Sequence, residues 1–141
     1  MQKLLFIAPH LSTGGLPQYL CKKIELLKKI FEDKILIKKT LLILDKFLKI
    51  HIDQQIKNGA NIIQIFDSWA GLLEEKDLPN YVYSPTLNLV NYVKSLNTPV
   101  ICFPREIKNY KEFCKIVKPD AIGIDYNVNP KKILNDIKIP I

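Results

Sequence analysis

Arginine is almost absent from this chain. Arg105 is the only one, and lysine supplies every other basic side chain in a Lys-plus-Arg total of 21. The net charge is nevertheless +7. The lysines are spread along helix faces instead of gathered in a block, so they read as solvated surface and no nucleic-acid partner is expected. A weak attraction to anionic ligands, polycarboxylates included, is compatible with the same charge. Cysteine is scarce too: Cys21, Cys102 and Cys114 form no CxxC pair, and no histidine stands near them at metal-ligand spacing. An odd number of cysteines with apolar neighbours suits reduced, buried thiols in a cytoplasmic protein, with no disulfide framework and no metal site. No apolar run is long enough to span a membrane. The apolar start, Leu4 to Ala8, is followed by a polar, glycine-bearing loop and reads as a buried first strand, not a signal peptide.

What is present is enough for one modest domain: 141 residues, of which 48% are hydrophobic and 25% charged. After the first strand, Pro17 suits the first position of a helix running through Leu20, Ile24 and Leu27. Asp33 is placed to cap a long helix. Ile37, Leu41, Leu44, Leu48, Ile52 and Ile56 give that helix one apolar face, and lysines populate the rest. His51 falls beside the stripe, as a helix-surface histidine or a catalytic base. Asn58-Gly59 ends the helix, with Gly59 suited to a left-handed cap.

The stretch from Asn58 to Leu73, NGANIIQIFDSWAGLL, is the one around which the remaining elements are organised. Ile62, Ile63, Ile65 and Phe66 form a near-continuous apolar run, the mark of a strand buried on both faces in a parallel sheet. Asp67-Ser68 comes directly after it, where α/β folds place their ligand chemistry. Ser84-Pro85 then marks a helix start, and Asn97-Thr98-Pro99 its end. Val100–Phe103 is a second buried strand, ending at Pro104-Arg105-Glu106. Asn109 and Glu112 form a capping-box-like pair. Ala121–Ile124 is a further strand ending at Asp125-Tyr126. Asn129-Pro130 starts a last helix, and Ile139–Ile141 resembles a strand just beginning. Strands alternating with helices imply an α/β fold with a parallel sheet and right-handed crossovers. The repeated polar pair at each strand end fits a (β/α) barrel, and an open doubly wound sheet almost as well.

The run Gln64–Gly71, QIFDSWAG, preceded by Gln54–Ala60, QQIKNGA, resembles the central signature of uroporphyrinogen decarboxylase. The resemblance extends over about residues 29–141. It implies a (β/α)8 TIM barrel, here a partial one that reads as a later portion of the fold. It further implies a lyase of porphyrin and heme biosynthesis that converts the acetate side chains of uroporphyrinogen to methyls, giving coproporphyrinogen, without a metal or organic cofactor. Of the family's substrate contacts, the serine of Phe-Asp-Ser maps onto Ser68, whose hydroxyl would donate to a substrate carboxylate or cap the strand-end turn. Asp67 matches an acidic family position, as a substrate contact or a turn-fixing carboxylate. Arg105 is placed to meet a propionate, or to pair with Glu106 or Asp125 on the surface. Trp69 is expected to pack at the rim. The family's paired arginines, its early catalytic aspartate and its late histidine find no counterpart, so this chain is expected to be inactive by itself.

Residues 1–28 carry a different resemblance. Phe6–Gln18, FIAPHLSTGGLPQ, resembles the opening strand, Gly-Gly loop and helix of two-domain glycosyltransferases that use nucleotide sugars. Backbone N–H groups at such a helix start can hold phosphate. The alternative function is accordingly a nucleotide-sugar-binding α/β domain, with a domain junction at 28/29. A partial barrel exposes unpaired strand edges, which template association. Light scattering on the purified chain is therefore expected to show a homodimer or aggregate, and a monodisperse monomer would contradict this.

Overall fold

The computed structural model describes residues 4–7, as backbone, and 34–141. The expected loop Pro9–Gly15, the helix beginning at Pro17, Cys21 and the Asp33 cap lie outside the described residues. Four strands, β1 (Leu4–Ile7), β2 (Ile62–Asp67), β3 (Val100–Pro104) and β4 (Ala121–Ile122), form one sheet in the order β1-β2-β3-β4. Every pairing is parallel. Among the described residues four α-helices connect or follow them: α1 (Lys34–Lys57), α2 (Ser84–Ser95), α3 (Tyr110–Val117) and α4 (Pro130–Asp136). The strand order follows the chain order, so the described sheet contains no switch point of the kind that defines a doubly wound fold. None of the helices is long and apolar enough to cross a membrane, among the described residues.

The pleat sorts side chains into two sets. Ile63, Val100, Cys102 and Ile122 occupy matched positions across the sheet and are fully or almost fully buried. They share one core cluster with Ile52 of α1, Val90 and Val93 of α2, and Phe113 and Val117 of α3. The alternate set, Gln64, Phe66, Ile101 and Phe103, is only half-buried. Phe66 and Phe103 cover each other there, with ring centroids 4.5 Å apart. The sheet therefore buries one face deeply under helices and the other only in part. The near-continuous apolar run of β2 had suggested burial on both.

Local chemistry explains most element boundaries. Asn109 caps α3 by accepting the Glu112 N–H at 2.9 Å, and its side-chain amide donates to Glu112 Oε2 at 3.2 Å. Asn129 caps α4 by accepting the Lys131 N–H at 3.0 Å. Gly59 ends α1's turn at φ +96. The second helix begins earlier than Ser84-Pro85 suggested, because Pro79–Tyr83 forms a π-helical turn ahead of it. In a regular α-helix the ring of Pro85 would press on the carbonyl four residues back and leave it without a donor. The wider turn, closed by the Ser84 N–H donating to the Pro79 carbonyl, accommodates that proline. The strand expected at Ala121–Ile124 pairs regularly only over Ala121–Ile122, although the Gly123 N–H still donates to the Cys102 carbonyl at 2.8 Å. Near the C-terminus, the Ile122 N–H donates to the Pro140 carbonyl at 3.0 Å, so the tail runs beside β4 without becoming a strand.

The long helix α1 departs from the single-stripe expectation. Ile37 and Ile52 are buried, and Leu41, Leu48 and Ile56 half-buried, but Leu44 is 49% exposed. Ile43, Phe47 and Ile50 make a second apolar stripe that is exposed to solvent. Lysines occupy the flanks between the stripes, not the whole remaining surface.

The core cluster centres on Phe113, 1% exposed and edge-on to Tyr83 at 5.6 Å. Truncating such a ring leaves a cavity as well as losing its transfer free energy. Phe113→Ala is expected to cost about 3–5 kcal/mol in urea unfolding, and a loss below about 1 kcal/mol would show that the cluster is not the core.

Candidate functional site

The polar strand ends come together along one rim. Asp67 closes β2, Arg105 follows β3, and Asp125 lies three residues beyond β4. Backbone hydrogen bonds tie these ends to one another in sequence. The Arg105 N–H donates to the Asp67 carbonyl at 3.0 Å, and the Arg105 carbonyl accepts the Gly71 N–H at 2.9 Å. The next residue, Glu106, has φ +62, and its N–H donates to Asp125 Oδ2 at 2.7 Å. The hydroxyl of Tyr110 donates to the same oxygen at 2.8 Å. Asp125 is 8% exposed, so these donors replace the water its carboxylate loses. Burial first, and then the bond to Asp125, push the Tyr110 phenol up to about 12, which keeps it a hydrogen-bond donor at neutral pH.

Gly71 is what permits the loop after β2 to press on the loop after β3. A Cβ there would stand 2.2 Å from the Glu106 carbonyl oxygen. This is a steric need, set by close approach of two backbones. Single-sequence reading had no signal for it, nor for Tyr110, which looks like one more apolar position of α3.

Asp67 sits in register with Pro104 on the helix-facing set of β2. Its Oδ1 accepts the Trp69 N–H at 3.0 Å, which fixes the turn through Ser68. Burial raises the Asp67 carboxyl above the ordinary range, while N–H groups of Trp69 and Ala70 pull it partly back. Asp67 also borders an apolar cavity of about 190 Å³ between α1, the end of β2 and the second helix. Asp45 lines the same cavity, and its buried Oδ1 has no hydrogen-bond partner among the described residues. Ser68 is half-buried in the turn itself, at the C-terminal end of a strand that has parallel neighbours on both sides.

Arg105 and Trp69 point outward. The Arg105 guanidinium pairs with Glu106 at 3.0 Å, with the two side chains 48% and 50% exposed. An ion pair this open contributes little to stability, so the guanidinium can be exchanged to another carboxylate at low cost. Trp69 is 64% exposed and so does not pack at the rim among the described residues, contrary to expectation. Tyr126 is fully exposed beyond Asp125. His51 lies exposed on α1, with Nε2 2.6 Å from Gln55 Nε2. Cys102 and Cys114 are free thiols, buried and half-buried. Burial pushes the Cys102 thiol far up and that of Cys114 to about 11, so neither is a ready nucleophile.

Comparison with known proteins gives a consistent result. A family model described as uroporphyrinogen decarboxylase matches residues 10–141. The chain is 40% identical over 101 residues to the uroporphyrinogen decarboxylase of Rickettsia bellii (strain RML369-C), which covers 70% of this chain and 30% of that protein. It is 35% identical over 109 residues to that of Rickettsia africae (strain ESF-5), covering 75% and 32%. It is 39% identical over 95 residues to that of Wolbachia pipientis wMel, covering 65% and 28%. The chain thus spans about a third of the length of these curated relatives. They lend no support to the nucleotide-sugar reading of residues 1–28, and the family match starts inside that segment.

The half-buried Asp67 makes a pH prediction. Its folded pKa stands above the unfolded value of 3.8. Its favourable contribution is therefore fully present below about 3.8 and is lost as pH rises through the folded value. Asp67→Asn keeps an oxygen for the Trp69 N–H and removes the charge. It is expected to be more stable than the parent at neutral pH, with the gap in urea midpoint closing on acidification. A gap that widens on acidification would contradict the assignment.

Proposed function

Since the chain belongs to the uroporphyrinogen decarboxylase family, we propose that its strand-end rim is part of a cleft for a porphyrinogen carrying several carboxylates. The reading rests most on one observation. The signature Gln64–Gly71 ends a strand with parallel neighbours on both sides, and it delivers Ser68 to the C-terminal rim beside Arg105. In this reading the sheet is an arc of a (β/α)8 barrel. Sequential strand order, all-parallel pairing and one deeply buried face support that, because a barrel arc covers its outside with helices and turns its other face inward. The half-buried pair Phe66 and Phe103 then faces the barrel interior.

The chemistry is set by the substrate. Decarboxylating a pyrrole acetate requires the ring to take up a proton, so that electrons from the breaking carbon–carboxylate bond flow into it as CO₂ leaves. A second proton then goes to the exocyclic methylene that CO₂ leaves behind, making the methyl, and loss of the ring proton restores the aromatic pyrrole. The protein must hold the other carboxylates still and shield the charge that develops. The Ser68 hydroxyl donates to one carboxylate. Asp67 fixes the turn that aims it. Arg105 exchanges Glu106 for a substrate carboxylate. The unpaired thiols of Cys102 and Cys114 favour a reducing, cytoplasmic setting. No metal or organic cofactor takes part in this scheme.

Two measurements test the proposal. Ser68→Ala should weaken uroporphyrin binding, followed by fluorescence, roughly two- to tenfold, the worth of one net hydrogen bond of about 0.5–1.5 kcal/mol. Unchanged affinity would remove Ser68 from the site. Residues 1–141 alone should form no coproporphyrinogen under anaerobic assay. One serine and one exposed arginine do not provide the preorganised charge that the step demands. Multiple turnovers would overturn that expectation.

A further inference from the structure

Next to the rim, lined in part by Gly71 and Glu106, lies a cavity of about 160 Å³ that the porphyrinogen reading leaves unused. Glu74 and Glu75, from the loop after β2, line one side. Glu106 and Glu112, from the loop after β3 and the first turn of α3, line the other. Among the described residues of the lining, Lys108 is the one basic side chain. This is a concentration of negative charge on a chain whose net charge is +7.

A second, independent observation concerns Tyr83, which also lines the cavity. It is 2% exposed, and its ring is fixed edge-on against Phe113. Among the described residues its hydroxyl takes no hydrogen bond, yet it is not sealed from solvent. The cavity is where it remains accessible. Glu112 and Glu75, from opposite sides, are the charges that act on it. The ring is buried while the hydroxyl stays open to the cavity, so the hydroxyl can bond a group held there.

The existing partners of the carboxylates are loose. Glu75 stands 3.9 Å from Lys108, with both side chains more than 70% exposed, and Glu74 pairs with the equally exposed Lys76. Ion pairs of this kind are readily exchanged. The carboxylates do not converge: among the described residues no acidic group cluster could hold a metal ion. A point charge would satisfy one side and leave the other. A longer cation can reach both sides while one of its N–H groups donates to Tyr83 Oη.

From this geometry we infer that the cavity binds a small linear organic cation with two or more ammonium groups, a free polyamine being the fitting class. The overall positive charge sharpens the inference, because a protein of net +7 gives polyamines little general attraction.

The test is calorimetric titration of the 141-residue chain with spermidine in moderate salt. One-to-one binding is expected. Tyr83→Phe keeps the ring against Phe113 and removes only the hydroxyl, and should weaken binding severalfold. The double variant Glu75→Gln, Glu112→Gln should weaken it tenfold or more. Uroporphyrin affinity should be unchanged in both, which separates this site from the rim. No binding at millimolar spermidine overturns the inference, as does equal affinity in Tyr83→Phe. Equal displacement by Mg²⁺ would reduce the effect to diffuse charge and likewise overturn it. Tighter binding of tetralysine than of spermidine would assign the cavity to a basic protein segment and overturn the small-molecule assignment.

Discussion

The rim depends on how one strand end is fastened to the next. Arg105 is held by its backbone on both sides, donating to Asp67 and accepting from Gly71. Glu106, directly after it, is drawn into a left-handed conformation and donates to Asp125. The buried Asp125 carboxylate then closes the chain by taking the Tyr110 hydroxyl. These bonds are short and lie in partly desolvated surroundings, where electrostatic attraction is stronger than in water. They leave Ser68 and the Arg105 guanidinium on a frame that cannot shift one loop without disturbing the other two. In the proposed porphyrinogen cleft, side chains that meet several carboxylates need that kind of support.

The same fastening borders the acidic cavity next to the rim. Gly71 is pressed onto the Glu106 backbone, and both residues line that cavity together with glutamates of the two loops. Tyr83 of the π-helical turn forms part of its wall. The extra residue in that turn relieves Pro85 from conflict with the preceding backbone. A proline in the second helix thus shapes the path of the segment that carries Tyr83.

The two faces of the sheet carry different meanings. Ile63, Val100, Cys102 and Ile122 are packed under α1, α2 and α3, and hydrophobic burial there holds the domain together. Gln64, Phe66, Ile101 and Phe103 are half-open. Helix α1 shows a similar duality, with one stripe in the core and Ile43, Phe47 and Ile50 in solvent.

By itself the sequence determined the elements and their character. Apolar runs at Ile62–Phe66 and Val100–Phe103, set between helical periodicities, dictate a parallel α/β sheet, because strands joined through helices return in the same direction. The caps at Gly59, Asn109 and Asn129 were legible, since each acts on backbone groups close by in the chain. The Phe-Asp-Ser run was legible through its resemblance to one family, to which the chain belongs. Tertiary structure alone decided the rest. That one sheet face is open, that α1 has a second apolar stripe in solvent, that Gly71 meets Glu106, and that Asp125 is buried between Glu106 and Tyr110 all depend on residues distant in the chain. Local propensity and periodicity do not reach that far. The same holds for Arg105. The sequence placed it at a strand end with Glu106 and Asp125 as possible partners, and only packing settled that Asp125 binds backbone and phenol while Glu106 takes the guanidinium.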